Sequence, residues 1–450
     1  MGNVNPLPIP VRWLFSTRLC RRAAMSHREQ QLTFDPRGHQ LTNINVWTPD
    51  SQWLAYDVRP NGASFTGLSI ERVNVESGVV EVVYRAQHGA HVGVVTVSPD
   101  APARYAFIHG PEYPDSVWHY DFHHRRGVIV SEPDRELAIT LDAMDITAPY
   151  TPGALRGGTH VHVFSPDGSR LSFTYNDHVM HELDPALDLR NVGVAVPLQG
   201  VNPPKQHPRE YDGSHYCVLV SETTPQPQPG SDQINRAYEE GWIGQRGYTR
   251  SDGRQQRWAL AFIGDTLSSS GEKLPEVFIV DLPQDDADYA KAGARPLQGT
   301  ARHLPAPPLG IRQRRLTFTG QRRFPGVVTT PRHWLRSSPD GSMIACLMKD
   351  DAGVVQLWVV SPNGGDPRQV THGEQGIQSA FSWHPQGGRI ALVCDNSLML
   401  CEVASGRMQR LTQRTALPPS GDAIVFSPDG SKVAFMREID GFSQIFVVEL

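Results

Sequence analysis

A short motif recurs along the 450-residue chain: a hydroxyl residue, then Pro, Asp and often Gly. It stands as Thr48-Pro49-Asp50, Ser98-Pro99-Asp100, Ser165-Pro166-Asp167-Gly168, Ser338-Pro339-Asp340-Gly341 and Ser427-Pro428-Asp429-Gly430, with a degenerate copy at His384-Pro385-Gln386-Gly387. Proline presets φ for a turn, Asp hydrogen-bonds its own backbone, and Gly accepts positive φ. Each copy lies between two short apolar runs, which is the pattern of a β-hairpin turn. The prolines are 50, 67, 173, 46 and 43 residues apart. A period in the forties with one hairpin per unit signals the blade of a β-propeller, and the wide gap must hide a blade whose turn has lost the motif.

A second repeat marks the fourth strands: Arg314-Arg315-Leu316-Thr317, Arg368-Gln369-Val370-Thr371 and Gln409-Arg410-Leu411-Thr412. The same pattern stands ahead of the first blade, at Gln30-Gln31-Leu32-Thr33, while the chain stops after the third strand of the last. The N-terminal strand is therefore expected to complete the last blade and remove both open sheet edges. The expected fold is an all-β, seven-bladed propeller over residues 26–450, with insertions near 131–158, 201–256 and 283–311. An eighth blade within 205–256 is the alternative. Blade 1 is expected over Asn43–Tyr84 and blade 2 over His91–Val130 with a third strand at Ser116–Phe122. Blade 3 is expected from His160, and blade 4 with its first strand at Tyr216–Ser221. Blades 5 and 6 are expected over His333–Thr371 and Ile377–Leu411, and blade 7 from Asp422.

Net charge is −5, which argues against general nucleic-acid binding. No run of 18 apolar residues exists, so no membrane span is expected. Five cysteines without CxxC spacing suggest reduced thiols in the cytoplasm. Residues 1–25 carry Arg21 and Arg22 after a broken apolar stretch, the wrong order for a signal peptide. They are expected to be disordered, with Met25 as a possible start. No GxSxG elbow, P-loop or Rossmann glycine fingerprint is present.

The first strand of each blade lines the channel. Six residues before the turn proline stand Asn43, Gly93, His160, His333, Ser379 and Asp422. Residues two apart on a strand share a face, so His162 is expected beside His160. His160, His162 and His333 form a candidate site for a divalent transition metal. Solvated channel lining is the competing reading. Asn43, Ser379 and Asp422 complete a polar ring, and His91 and Arg156 are expected at the channel mouth as ligand-binding groups. A second basic cluster comprises His119, His123, His124, Arg125 and Arg126, with His109 near in sequence. It reads as an acid-binding group or a solvated turn. His178 and His181 receive no role.

The RLT-like strands and SPDG turns together resemble TolB-type propellers, a class that includes oligogalacturonate lyases. Gln30-Gln31-Leu32-Thr33-Phe34, His39-Gln40-Leu41-Thr42-Asn43 and Trp118-His119-Tyr120-Asp121-Phe122-His123-His124-Arg125-Arg126-Gly127 resemble the bacterial YidR-type family. That resemblance implies the fold and supplies no reaction. Oligogalacturonate lyases hold manganese with a Gln and three His, two of them a His-x-His pair. Here the Gln position is Gly157, and the pair falls in an earlier blade.

Two functions follow. One is a module binding a small acidic ligand or a protein partner at the channel mouth. The other is a metal-dependent lyase of acidic, uronate-type oligosaccharides, with manganese implied by the resemblance and Arg156 as a possible base.

Overall fold

The computed structural model describes residues 1–2 and 27–450, so the expectation of a disordered 1–25 segment lies outside the described residues. Seven four-stranded antiparallel sheets follow one another around a ring. Strands are numbered here from the inside of each blade outward. The SPDG turns link first to second strands as expected. In blade 3, Ser165 Oγ donates to Asp167 Oδ1 at 2.6 Å, Gly168 N donates to Ser165 O at 2.8 Å, and Gly168 has φ 70°. The hydroxyl, carboxylate and glycine each carry a separate part of the turn.

Alternation along the strands builds the core. Leu54 and Tyr56 face one way and pack with Ala423 and Val425 of blade 7, while Ala55 faces blade 2 and packs with Val92 and Phe107. Repeated at every blade, this yields seven apolar clusters, each between two successive blades. Three tryptophans at matching positions lock neighbours: Trp47, Trp242 and Trp383 each donate Nε1–H to a carbonyl of the preceding blade, those of Val425, Val163 and Arg336. The ring closes as its termini imply. Glu29–Gln31 pairs with Phe446, Val447 and Val448, completing blade 7.

Three expectations need correction. The aromatic segment 116–122 is not a strand; blade 2 takes Arg126–Ser131 as its third strand and Ala138–Thr140 as its fourth. Side chains capture the backbone of that segment first. Asp115 Oδ1 accepts from the N–H groups of Val117 and Trp118, and Asp121 Oδ1 from those of His123 and His124. Tyr216–Leu219 is the outermost strand of blade 3, not the first of blade 4. Blade 4 begins instead at Ala237–Trp242, inside the expected insertion, and a small hairpin of Tyr248–Thr249 with Gln255–Gln256 accounts for the rest. The count is seven blades.

Among the described residues no helix is long and apolar enough to cross a membrane. Cys217, Cys346, Cys394 and Cys401 are free thiols.

Candidate functional site

First and third strands of a blade run the same way, so their starting residues share one face of the ring, opposite the SPDG turns. Second strands end on that same face. Arg125 precedes the third strand of blade 2, and Arg190 the third strand Asn191–Val196 of blade 3. Arg236 precedes the first strand of blade 4, and Lys273 opens its third strand Lys273–Asp281. Arg59 follows the second strand Trp53–Val58 of blade 1. Topology alone thus gathers these cations. With Arg332 they line a cavity of about 760 Å³ at the centre of this face, whose only carboxylates among the described lining are Glu239 and Asp422. The chain as a whole is acidic, so this excess of positive charge is local.

Half of the cations are already paired. Arg59 pairs with Asp57, Lys273 with Asp265 at 2.7 Å, and Arg332 with Glu239 at 2.8 Å. Arg125 is different. It is 1% exposed, its Nη1 donates to Tyr120 Oη at 3.3 Å, and its Nε and Nη2 have no partner. Arg190 Nε is likewise buried and unpartnered. Burial, reinforced by Arg125 and Arg236, pulls the Arg190 guanidinium down to about 9. Buried donors of this kind are costly unless something satisfies them. Tyr120, Phe122 and Trp334 supply aromatic wall to the same cavity, with Tyr120 stacked on Phe65 at 4.0 Å.

Five residues singled out from sequence line this cavity: Asn43, His160, His333 and Asp422 of the channel set, and Arg125 of the second basic cluster. Burial, then Arg125 and Arg190, holds the His160 imidazole well below its usual range, so it is neutral. Asn43 Oδ1 accepts from Ile424 N at 2.9 Å and stitches blade 1 to blade 7. His91, Arg156, His162 and Ser379 do not line the cavity. Ser379 Oγ donates to Ala380 O and accepts from Val393 N, a purely internal role. His91 is half-buried with an unpartnered Nδ1. Arg156 is fully buried on Asp177 at 2.7 Å; burial opposes its charge, but Asp177 raises its pKa overall. That is the reverse of what a base requires.

The three histidines do not converge. A β-bulge interrupts the first strand of blade 3 between His160 and Val163, with Val161 at φ 54°. The extra residue turns His162 off the face of His160. The His162 ring lies against blade 2, where a Cβ on Gly127 would stand 2.6 Å from its Nε2, and Nε2 is hydrogen-bonded to Thr159 Oγ1 at 2.8 Å. His333 has both nitrogens engaged, Nδ1 with Pro331 O at 3.1 Å and Nε2 accepting from Leu347 N at 3.3 Å. The same bulge recurs at Val94 and Glu239 in blades 2 and 4. These residues do not fit a manganese site.

A different set does come together at the rim of blades 2 and 3. His123, His181 and Asp188 bring one ligand atom each to within 4.8 Å of one another. Around them, Trp118 stacks on His124 at 3.6 Å, and His124 Nε2 meets His178 Nδ1 at 3.2 Å. Burial acts against the charge on His123, but Asp121 and Asp188 overcome it and raise its pKa to about 9. His109 stays outside this cluster, bonded to Gly110 O and Tyr84 Oη.

Beneath the cavity, Glu240 is fully buried with Oε2 unpartnered. Burial, then Glu239, raises its carboxyl to about 7. A raised folded-state pKa contributes stability that is complete below the unfolded value near 4.5 and is lost as pH rises through 7. Glu240→Gln is expected to abolish that loss, worth about 3 kcal/mol between pH 4 and 8. Urea denaturation of both proteins across this range checks it; parallel pH profiles would refute it.

A family described as a protein of unknown function (DUF3748) matches residues 91–211. The uncharacterized protein YidR of Escherichia coli (strain K12) is 64% identical over 408 residues, which is 91% of this chain and 94% of the relative. Among solved structures, an oligogalacturonate lyase in complex with manganese superposes with a TM-score of 0.57 at 11% identity, covering 95% of this chain and 94% of that one. The oligogalacturonate lyase of Vibrio parahaemolyticus gives 0.56 at 10%, covering 94% and 97%. At such identities the likeness is one of fold.

Proposed function

The chain belongs to the family of the uncharacterised protein YidR, and we propose that it is a binding propeller whose central cavity takes a small anionic ligand, best fitted by a carboxylated sugar. The observation that carries this reading is Arg125, a buried guanidinium with two unpartnered nitrogens at the cavity wall. A carboxylate satisfies such a fork with two parallel hydrogen bonds. The aromatic wall of Tyr120, Phe122 and Trp334 suits the apolar face of a sugar ring. The volume falls in the range of small-molecule sites. The fold neighbours named oligogalacturonate lyase point to the same ligand chemistry, a chain of uronates.

Calorimetric titration with digalacturonate and trigalacturonate tests the proposal, with a neutral disaccharide as control. One acidic ligand is expected to bind per chain, more weakly as salt rises, with no heat from the neutral sugar. Equal binding of both, or of neither, would sink the reading.

A lyase is the second reading, favoured by one feature: the His160 imidazole lines the same cavity as the guanidinium groups. A neutral imidazole accepts a proton from the carbon beside a bound carboxylate. The C–H electrons become a C=C bond, the bond to the neighbouring sugar oxygen breaks, and that oxygen takes up a proton from water while the His160 imidazolium returns its own to solvent. The step is derived without a metal, because His160, His162 and His333 do not fit one. Ultraviolet absorbance of the unsaturated product, lost in His160→Ala, would establish turnover; binding without absorbance change leaves a binding module.

A further inference from the structure

We infer that a divalent transition-metal ion binds at the rim of blades 2 and 3, held by His123 Nε2, His181 and Asp188 Oδ2. The inference stands apart from the central cavity and needs none of its cations. Two imidazoles and one carboxylate are the donor set of open divalent sites, suited to zinc, iron, cobalt, nickel or manganese. The three ligand atoms already lie within 4.8 Å of one another.

The surroundings orient the ligands as a metal site requires. Asp121 Oδ1 stands 3.4 Å from His123 Nδ1, which leaves Nε2 as the inward nitrogen. Asp121 is itself fixed by the N–H groups of His123 at 2.7 Å and His124 at 3.0 Å. Asp188 Oδ1 accepts from Asp177 N at 3.0 Å and from Asn176 Nδ2 at 3.1 Å. Such outer partners set ring orientation and ligand basicity. His181 rides on the short helix His178–Leu183, whose first turn is capped by the Asp177 side chain.

An ion pair alone accounts for only two of the three groups. His123 Nε2 and Asp188 Oδ2 are 2.6 Å apart, a hydrogen bond. The His181 ring, however, stacks on that of His123 with centroids 4.0 Å apart. The stack keeps the two rings adjacent, and the ligand atoms of all three groups lie within 4.8 Å of one another, so His181 reaches a shared ion by a small turn of its ring. Metal–ligand bonds of about 2.0–2.2 Å place ligand atoms roughly 3 Å apart, so binding draws His181 inward and lengthens the His123–Asp188 contact. Asp188 also lines a side cavity of about 450 Å³ with Arg190, Arg236 and Lys273, three residues it shares with the central cavity.

Full-length protein stripped with chelator is titrated with Co²⁺ by visible absorption and with Zn²⁺ by calorimetry. One equivalent per chain is expected. His181→Ala and Asp188→Asn are each expected to lose it, while His160→Ala keeps it. Asp121→Asn, a positioning change, is expected to weaken binding about 10- to 100-fold. Far-ultraviolet circular dichroism confirms folding; should Asp188→Asn not fold, the half-exposed His181→Ala decides alone. Absence of binding by the wild type at millimolar metal, or wild-type stoichiometry in His181→Ala, overturns the inference.

Discussion

Arg125→Met is expected to move stability and ligand binding in opposite directions. The free protein should become more stable, by about 1–3 kcal/mol, while affinity for an acidic sugar falls about 100-fold. The first effect follows from burial. A guanidinium that is 1% exposed, with Nε and Nη2 unpartnered and only Tyr120 Oη as acceptor, is held in the free protein at a cost. Desolvation is the leading influence on its pKa and lowers it. Methionine fills the path of the stem, which packs against blade 3 so closely that a Cβ on Gly158 would stand 3.0 Å from Arg125 Cγ. The second effect follows from the ligand: its carboxylate would lose the fork that it came to satisfy. Thermal melts with and without digalacturonate read both. A variant that is less stable than the wild type yet binds as tightly would show that Arg125 is a structural residue and remove the main support for an anion site.

The fold was legible because its signals are local. A Ser-Pro-Asp-Gly turn reads the same in any context, as Ser165, Ser338 and Ser427 each confirm with a bond to the Asp two residues on. The closing strand was legible because Gln30-Gln31-Leu32-Thr33 copies a repeat that the last blade lacks. Blade 4 was not, since its first strand carries the acidic pair Glu239-Glu240 and ends at Trp242-Ile243-Gly244 without the motif. Its equivalence shows in space, through the Trp242 bond to Val163 O, which matches those of Trp47 and Trp383, and through the bulge at Glu239.

The candidate sites were half legible, and the reason is the bulge. Counting back from the turn proline assumes unbroken alternation, which Val161 at φ 54° breaks. Past that point the count still finds the strand, yet assigns His162 to the wrong face. The cations are gathered by strand starts: Arg125, Arg190 and Arg236 each stand one residue ahead of a first or third strand, so one face collects them, but the strands after Arg125 and Arg236 are ones that the sequence misplaces. His123, His181 and Asp188 could not be paired from sequence, because they come from loops of two different blades. Their loops meet only once blade 2 packs on blade 3.

Asp177→Ala is expected to cost about 3–5 kcal/mol, the largest stability effect of any single change considered. Asp177 and Arg156 are both 0% exposed. Asp177 Oδ2 accepts from Arg156 Nη2 at 2.7 Å, Arg156 Nε at 3.1 Å and Tyr175 Oη at 2.8 Å. The rest of the guanidinium donates to Thr300 O and His303 O, which pins the long blade 4 loop to blade 3. Removing the carboxylate strands a buried cation, and the alternative of burying it in hydrocarbon is far worse than keeping the pair. The double variant Arg156→Met/Asp177→Leu leaves no orphaned charge and is expected to lose less than Asp177→Ala alone. Equilibrium denaturation of the three proteins reads the order, and an Asp177→Ala protein within 1 kcal/mol of wild type would refute it. The change reaches the metal ligands as well. Asp177 Oδ1 caps the helix bearing His181, and its backbone N–H holds Asp188 Oδ1. Asp177→Ala therefore frees one ligand directly while leaving the backbone bond to the other, so metal binding should weaken in step with the loss of the helix cap, and an Asp177→Asn variant that keeps a capping oxygen should recover part of it.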